Sequence, residues 1–180
     1  MSDEPKPDDP GATMDAVDFS SPDGWLRGLI EQTLAGIYLI QDGRFRYVNQ
    51  GFADIFGYHS TAEIIDKIGI DSLIAPEDRQ KVTENIRRRT SGEKPEMRYC
   101  FIGQRRDGRR IHIEVHGRNM DFRGRPAVIG LALDVTARKL AEAASDAKLR
   151  ALFELSPLGI ALVDMRGRHI EFNDTYLRLF

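Results

Sequence analysis

The last stretch of this chain begins to repeat its opening. Residues 26–42, LRGLIEQTLAGIYLIQD, align with 149–165, LRALFELSPLGIALVDM, at a constant offset of 123. After one inserted residue, Arg166, the run GRFRYVNQGFADIF from Gly43 aligns with GRHIEFNDTYLRLF from Gly167. Identities include Leu26/Leu149, Gly36/Gly159, Ile37/Ile160, Gly43/Gly167, Asn49/Asn173 and Phe56/Phe180, and Phe52/Tyr176 is a like-for-like exchange. Solenoid units repeat every ~20–50 residues, so a period this long is a whole small domain. The expectation is one complete domain followed by the opening third of a second copy, as in an excerpt from a tandem array. The boundaries implied are an acidic leader at 1–22, a domain at 23–136, a helical linker at 137–148 and the truncated second copy at 149–180.

The leader carries Asp3, Glu4, Asp8, Asp9, Asp15 and Asp18 against Lys6 alone, with Pro5, Pro7 and Pro10 among them. That composition predicts disorder. The remainder has no run near the ~18 apolar residues that cross a membrane and no signal-peptide start. The expected location is cytoplasmic. One cysteine, Cys100, excludes an internal disulfide framework and a multi-cysteine metal site.

Spacing supplies the elements. Trp25, Leu26, Leu29, Ile30 and Leu34 predict an amphipathic helix over 23–34. GIYLIQ and RFRYVN around Asp42-Gly43 predict a hairpin, and Asn49 suits the N-cap of the next helix. Short helical pieces should follow over 61–74, then a helix from Pro76 that Gly92 stops. MRYCFIGQRR, RRIHIEVHGRNMDF and PAVIGLALDV read as three strands, and Ala137 to Leu155 as an exit helix capped by Thr136. The fold class expected is α+β: a five-stranded antiparallel sheet, its last three strands a meander, with short helices on one face and a flanking helix at either end.

The segments GIYLIQDGRFRYVNQGFADIFGY, APEDR, RRDGRRIHIEV and RGRPAVIGLALDVTARK, in that order, resemble the PAS sensor domain family. The last is similar to the D-[IV]-T-x-R-K ending of that family. The resemblance implies a sensory input module that binds a small ligand or cofactor and relays through its exit helix. Such modules serve output domains of sensor histidine kinases, in two-component systems, or of GGDEF and EAL enzymes such as diguanylate cyclases. A ligand-free dimerisation or protein-interaction module is the second reading.

Alternation along the strands points Tyr99, Phe101, Ile113, Val115, Val128 and Ala132 toward the helices, with Phe56 opposite them. These are the ligand-pocket candidates, and Tyr99 is the one with a polar group to offer. Asp134 and Thr136 are the expected signal relay. Trp25, Leu29, Leu131 and Leu133 form the opposite, flanking-helix or dimer face. Flavin-binding light-sensing relatives have a glutamine where this chain has Ala132 and an Asn-Cys-Arg motif near their helices. Cys100 lies on a strand instead, which argues against a photoactive flavin adduct. No haem signature is present. His112 and His116, four apart on a strand, stand ~13 Å apart and cannot share a metal ion. The cofactor is therefore unknown and no metal is expected. The arginine groups at 87–89, 105–106 and 109–110 read as solvated helix and hairpin ends, without the aromatic interleaving of a nucleic-acid surface. No nucleophile stands with a base, and no phosphate loop or zinc motif occurs, so this fragment is not read as an enzyme. Partners expected are a small ligand and a second copy of the chain.

Overall fold

The computed structural model describes residues 28, 30 and 34–179. The acidic leader and most of the flanking helix, with Trp25 and Leu29, lie outside the described residues. Within that segment Gly28 and Ile30 are helical.

Strands β1 (Gly36–Gln41) and β2 (Arg44–Val48) join through Asp42 and Gly43, at φ of 54° and 72°. Two successive positive φ values give the turn whose twist matches that of paired strands. Strands β3 (Glu96–Gln104), β4 (Arg110–Phe122) and β5 (Arg125–Asp134) form the expected meander. β1 then pairs with β5, and the five-stranded antiparallel sheet runs β2-β1-β5-β4-β3. Its middle strand is the one that leads out of the domain.

Helix α1 (Gln50–Phe56), three single 3-10 turns (Thr61–Glu63, Ile70–Leu73 and Pro76–Asp78) and helix α2 (Arg79–Thr90) cover one face. Phe52, Phe56, Ile64, Ile74 and Val82 from this layer meet Tyr38, Ile40, Val48, Ile113 and Val128 from the sheet in one core. Burying each such apolar side chain contributes about 1.5–3 kcal/mol. Helix α3 (Thr136–Glu154) leaves from β5. No helix among the described residues is long and apolar enough to cross a membrane.

The repeat is visible as a repeated hydrogen-bond pattern. Asn49 is fully buried; its Oδ1 accepts from the Ile37 and Phe52 amides at 2.7 and 3.0 Å. Its Nδ2 donates to the Ile30 and Ala35 carbonyls at 2.7 and 3.1 Å. Asn173, also fully buried, accepts from Ile160 and Tyr176 at 2.8 and 3.0 Å and donates to the Phe153 and Leu158 carbonyls, both at 2.9 Å. Every partner sits at the offset read from the sequence. In the second copy Asn173 joins a hairpin of β6 (Ala161–Val163) and β7 (His169–Phe172) to α4 (Asp174–Leu179).

The exit helix begins differently from the expectation. Its N-cap is Val135, and Thr136 is already helical. The Thr136 hydroxyl accepts instead from the His112 amide on β4, at 2.8 Å, while Asp134 Oδ1 accepts from the Thr136 amide at 2.9 Å. β5 ends here, so the His112 amide has no next strand residue to bond. The threonine supplies that acceptor, because a backbone donor left unpaired is costly.

Candidate functional site

A cavity lies between the helical layer and the sheet. Tyr38, Ile40 and Phe45 come from the first hairpin, and Phe52 and Phe56 from α1. Ile70, Leu73 and Ile74 close one side, Val82, Ile86 and Arg89 from α2 another, and Tyr99, Phe101 and Val115 form the floor. About 30 Å³ is open to the centre of a water-sized sphere. A single water needs ~10–15 Å³ on that measure, so there is room for a few heavy atoms.

One end of this apolar space is polar. Arg89 is 1% exposed, its Nη2 donates to Tyr99 Oη at 3.1 Å, and its Nε donates to the Asn85 carbonyl at 3.1 Å. The guanidinium carbon lies 5.5 Å from the Tyr99 ring centre. Nη1 is buried with no hydrogen-bond partner among the described residues. Burial pushes the Tyr99 phenol up to about 12, and burial also raises Tyr38, against the pull of the adjacent Arg89. The sheet makes room for these groups by omitting side chains. Gly117 and Gly130 are paired across β4 and β5. A Cβ on Gly117 would stand 2.4 Å from Arg89 Nη1, and one on Gly130 would stand 2.5 Å from Tyr38 Oη.

Of the residues singled out from the sequence, Phe56, Tyr99, Phe101 and Val115 border the cavity. Ile113, Val128 and Ala132 are buried in the same core but do not border it. Ala132 stands opposite Gly36, where a Cβ would lie 2.9 Å from Phe52 Cα. Helix α1 rests directly on the sheet there and leaves no space. Val128 is opposite Ile40, and Ile113 closes on Gly103 beside Phe56. Leu131 and Leu133 lie on the other face, 44% and 43% exposed, and Ile30 approaches Ile37, Ile129 and Leu131 there.

The reading of residues 87–89 as solvated is corrected. Arg87 pairs with Glu84, and Arg88 with Glu93, both at 2.7 Å, but Arg89 turns inward. The helical phase explains it: Val82, Ile86 and Arg89 recur at i, i+4 and i+7, which is the buried stripe. Arg105 is likewise partly buried, its Nη1 donating to the Ile55 carbonyl at 2.5 Å.

At the exit, Glu114 on β4 accepts from Arg98 Nε and from Arg138 Nη2, each at 2.7 Å. The Arg98 hydrogen bond, with help from Arg138, holds this carboxyl below the usual glutamate range. Val115, next in sequence, lines the cavity on the opposite face of the strand. One strand thus carries a cavity wall and the anchor of the exit helix. Among the described residues no three His, Cys, Asp or Glu side chains group as metal ligands.

An antiparallel sheet backing an internal cavity, with a helix leaving its middle strand, is the architecture of a sensory domain of signalling proteins. A family model described as PAS fold matches residues 25–135, and a PAS domain model matches 147–180. The chain belongs to the PAS family. Its fold is similar to the PAS domain of a Colwellia psychrerythraea protein, at 16% identity and a TM-score of 0.56, over 63% of this chain and 96% of that one. A sensory box histidine kinase/response regulator from Burkholderia thailandensis is similar at 24% identity and a TM-score of 0.54, over 71% and 96%. The PAS domain of a LuxR-family transcriptional regulator from the same organism, in complex with ethanol, is similar at 19% and 0.51, over 61% and 96%. No curated protein matches the chain.

Proposed function

We propose that residues 23–136 are a sensory input domain whose cavity takes up a small ligand. The change then passes through β4 and the linker at 137–148 to the second PAS copy at 149–180. It ends at an output domain, a histidine kinase or a diguanylate cyclase/phosphodiesterase. The observation that carries this reading is the adjacency of Val115, in the cavity wall, to Glu114, which holds Arg138 of the exit helix. Asp134 and Thr136 fix the angle of that helix against β4. A junction of this kind converts a small shift of the sheet into a shift of the helix. The similar Burkholderia domain in complex with ethanol supports a ligand of few atoms.

The test is amide exchange at 135–140 while a panel of small alcohols, aldehydes and acids is added. A compound that raises the melting temperature should change the protection of these amides. Stabilisation with no change at the junction would separate binding from relay and refute the proposed path.

A second reading is favoured by the outer face. Leu131 and Leu133 are exposed there, and Leu140, Leu149 and Leu152 are 62–64% exposed along α3. These residues suit a homodimer through the outer face and exit helix, with the domain acting as a dimerisation module. Sedimentation of the wild type and of Leu131→Asp tests it: a monomeric wild type at micromolar concentration would remove this reading.

A further inference from the structure

Among the described residues, Arg89 is a buried cation without a buried anion. Its neighbours Arg87 and Arg88 have acidic partners, whereas among the described residues Arg89 meets the Tyr99 and Tyr38 phenols and the Asn85 carbonyl. A desolvated charge costs several kcal/mol unless it is paired and its hydrogens are accepted. Here one nitrogen, Nη1, has no acceptor at all among the described residues. The side chain is nevertheless held in place with care. Ile86 and Val82 share its stripe, Tyr99 fixes Nη2, and the absent side chain of Gly117 lets Nη1 lie against β4 beside the Tyr38 hydroxyl.

Resting on the ligand-sensor reading above, we propose that the cavity's ligand is a small monocarboxylate whose carboxylate is bound by Arg89. The planar guanidinium presents parallel donors that match a carboxylate. The charge balance sets the class: one buried cation neutralises one negative charge, and a dianion would bring an uncompensated second. The Tyr38 and Tyr99 hydroxyls stand at the same end and can donate to the second oxygen's lone pairs. The remaining walls are aromatic and aliphatic, so the tail is apolar. The cavity size limits the whole ligand to a few heavy atoms, about the size of acetate.

The experiment is a calorimetric and thermal-shift titration of the full chain with sodium acetate, acetamide and ethanol, at constant ionic strength in sodium chloride. Acetate and acetamide share a shape and differ in charge. Acetate should stabilise the protein saturably, and acetamide should bind about 10-fold or more weaker, the worth of a charge-assisted hydrogen bond. Arg89→Met should lose the acetate response by a similar factor while keeping its circular dichroism. If that variant does not fold, Arg89→Lys serves, retaining the charge but not the fork, with weakened acetate binding expected. Equal binding of acetate and acetamide, or acetate binding unchanged in the folded Arg89 variant, would overturn the assignment. Ethanol binding without acetate binding would overturn it while leaving the ligand-sensor reading intact, and binding of none of the three would tell against both.

Discussion

Replacing Asn49 by alanine removes at least four hydrogen bonds, counted among the described residues, from a site with no exposure. The Ile37 and Phe52 amides lose their acceptor, and the Ile30 and Ala35 carbonyls lose a donor. A buried donor left unpaired costs about 1–3 kcal/mol, and an N-cap changed to alanine costs about 0.5–2 kcal/mol. The two carbonyls belong to partly exposed residues, where water can replace the lost donor in part. The expected loss is therefore about 3 kcal/mol, a large share of the roughly 5–15 kcal/mol of a typical domain. For a domain of this size it lowers the melting temperature by roughly 10–25 °C. Urea unfolding followed by circular dichroism measures it. Asn49→Asp retains the acceptor and should lose less. Asn173→Ala breaks the same pattern in the second copy and should leave the main transition in place. A loss under about 1 kcal/mol for Asn49→Ala would refute the reasoning, since one buried amide left unpaired should cost at least that much. So would an equal effect of Asn173→Ala on the main transition.

Three further outcomes are expected. Gly130→Ala places a methyl group 2.5 Å from Tyr38 Oη and should destabilise by about 1–3 kcal/mol, read by the same urea unfolding. Tyr99 has its folded pKa raised from 10.0 to about 12, so its contribution is complete below pH 10 and is lost as pH rises toward 12. Stability measured from pH 9 to 12 should fall, and Tyr99→Phe should flatten the fall. Glu114 has its pKa lowered from 4.5, so its clamp on Arg138 persists above the usual glutamate range and is lost as pH falls through the lower folded value. Glu114→Gln should mimic that loss at neutral pH and speed amide exchange in the first turn of α3. Unchanged exchange there would show that the clamp does not hold the helix.

Elements whose signal is local were legible in the sequence. The Asp42-Gly43 hairpin, Asn49 as a cap, and the alternation of Ile111, Ile113 and Val115 needed only neighbouring residues. The repeat was legible because the same asparagine pattern serves both copies. The cavity was only partly legible. Strand alternation names the face on which Tyr99, Phe101 and Val115 lie, but not where a helix sits close enough to fill the space above Ala132. Arg89 was missed because three consecutive arginines at a helix end suit the dipole and solvent. Its phase with Val82 and Ile86 was the signal that could have found it. Thr136 was misread because the donor its hydroxyl accepts from is the His112 amide, a strand away. Glu114 and Arg138 were missed for the same reason, since only the register of β4 against the exit helix brings them together.

The most direct test of ligand sensing is proton NMR of the small molecules released when the purified, extensively washed chain is denatured. A near-stoichiometric small organic molecule in the filtrate, accepted again by the refolded protein with a rise in melting temperature, is the predicted result. An empty filtrate, together with no stabilisation by any small acid, alcohol or aldehyde, would contradict it and leave the chain a dimerisation module with a filled core.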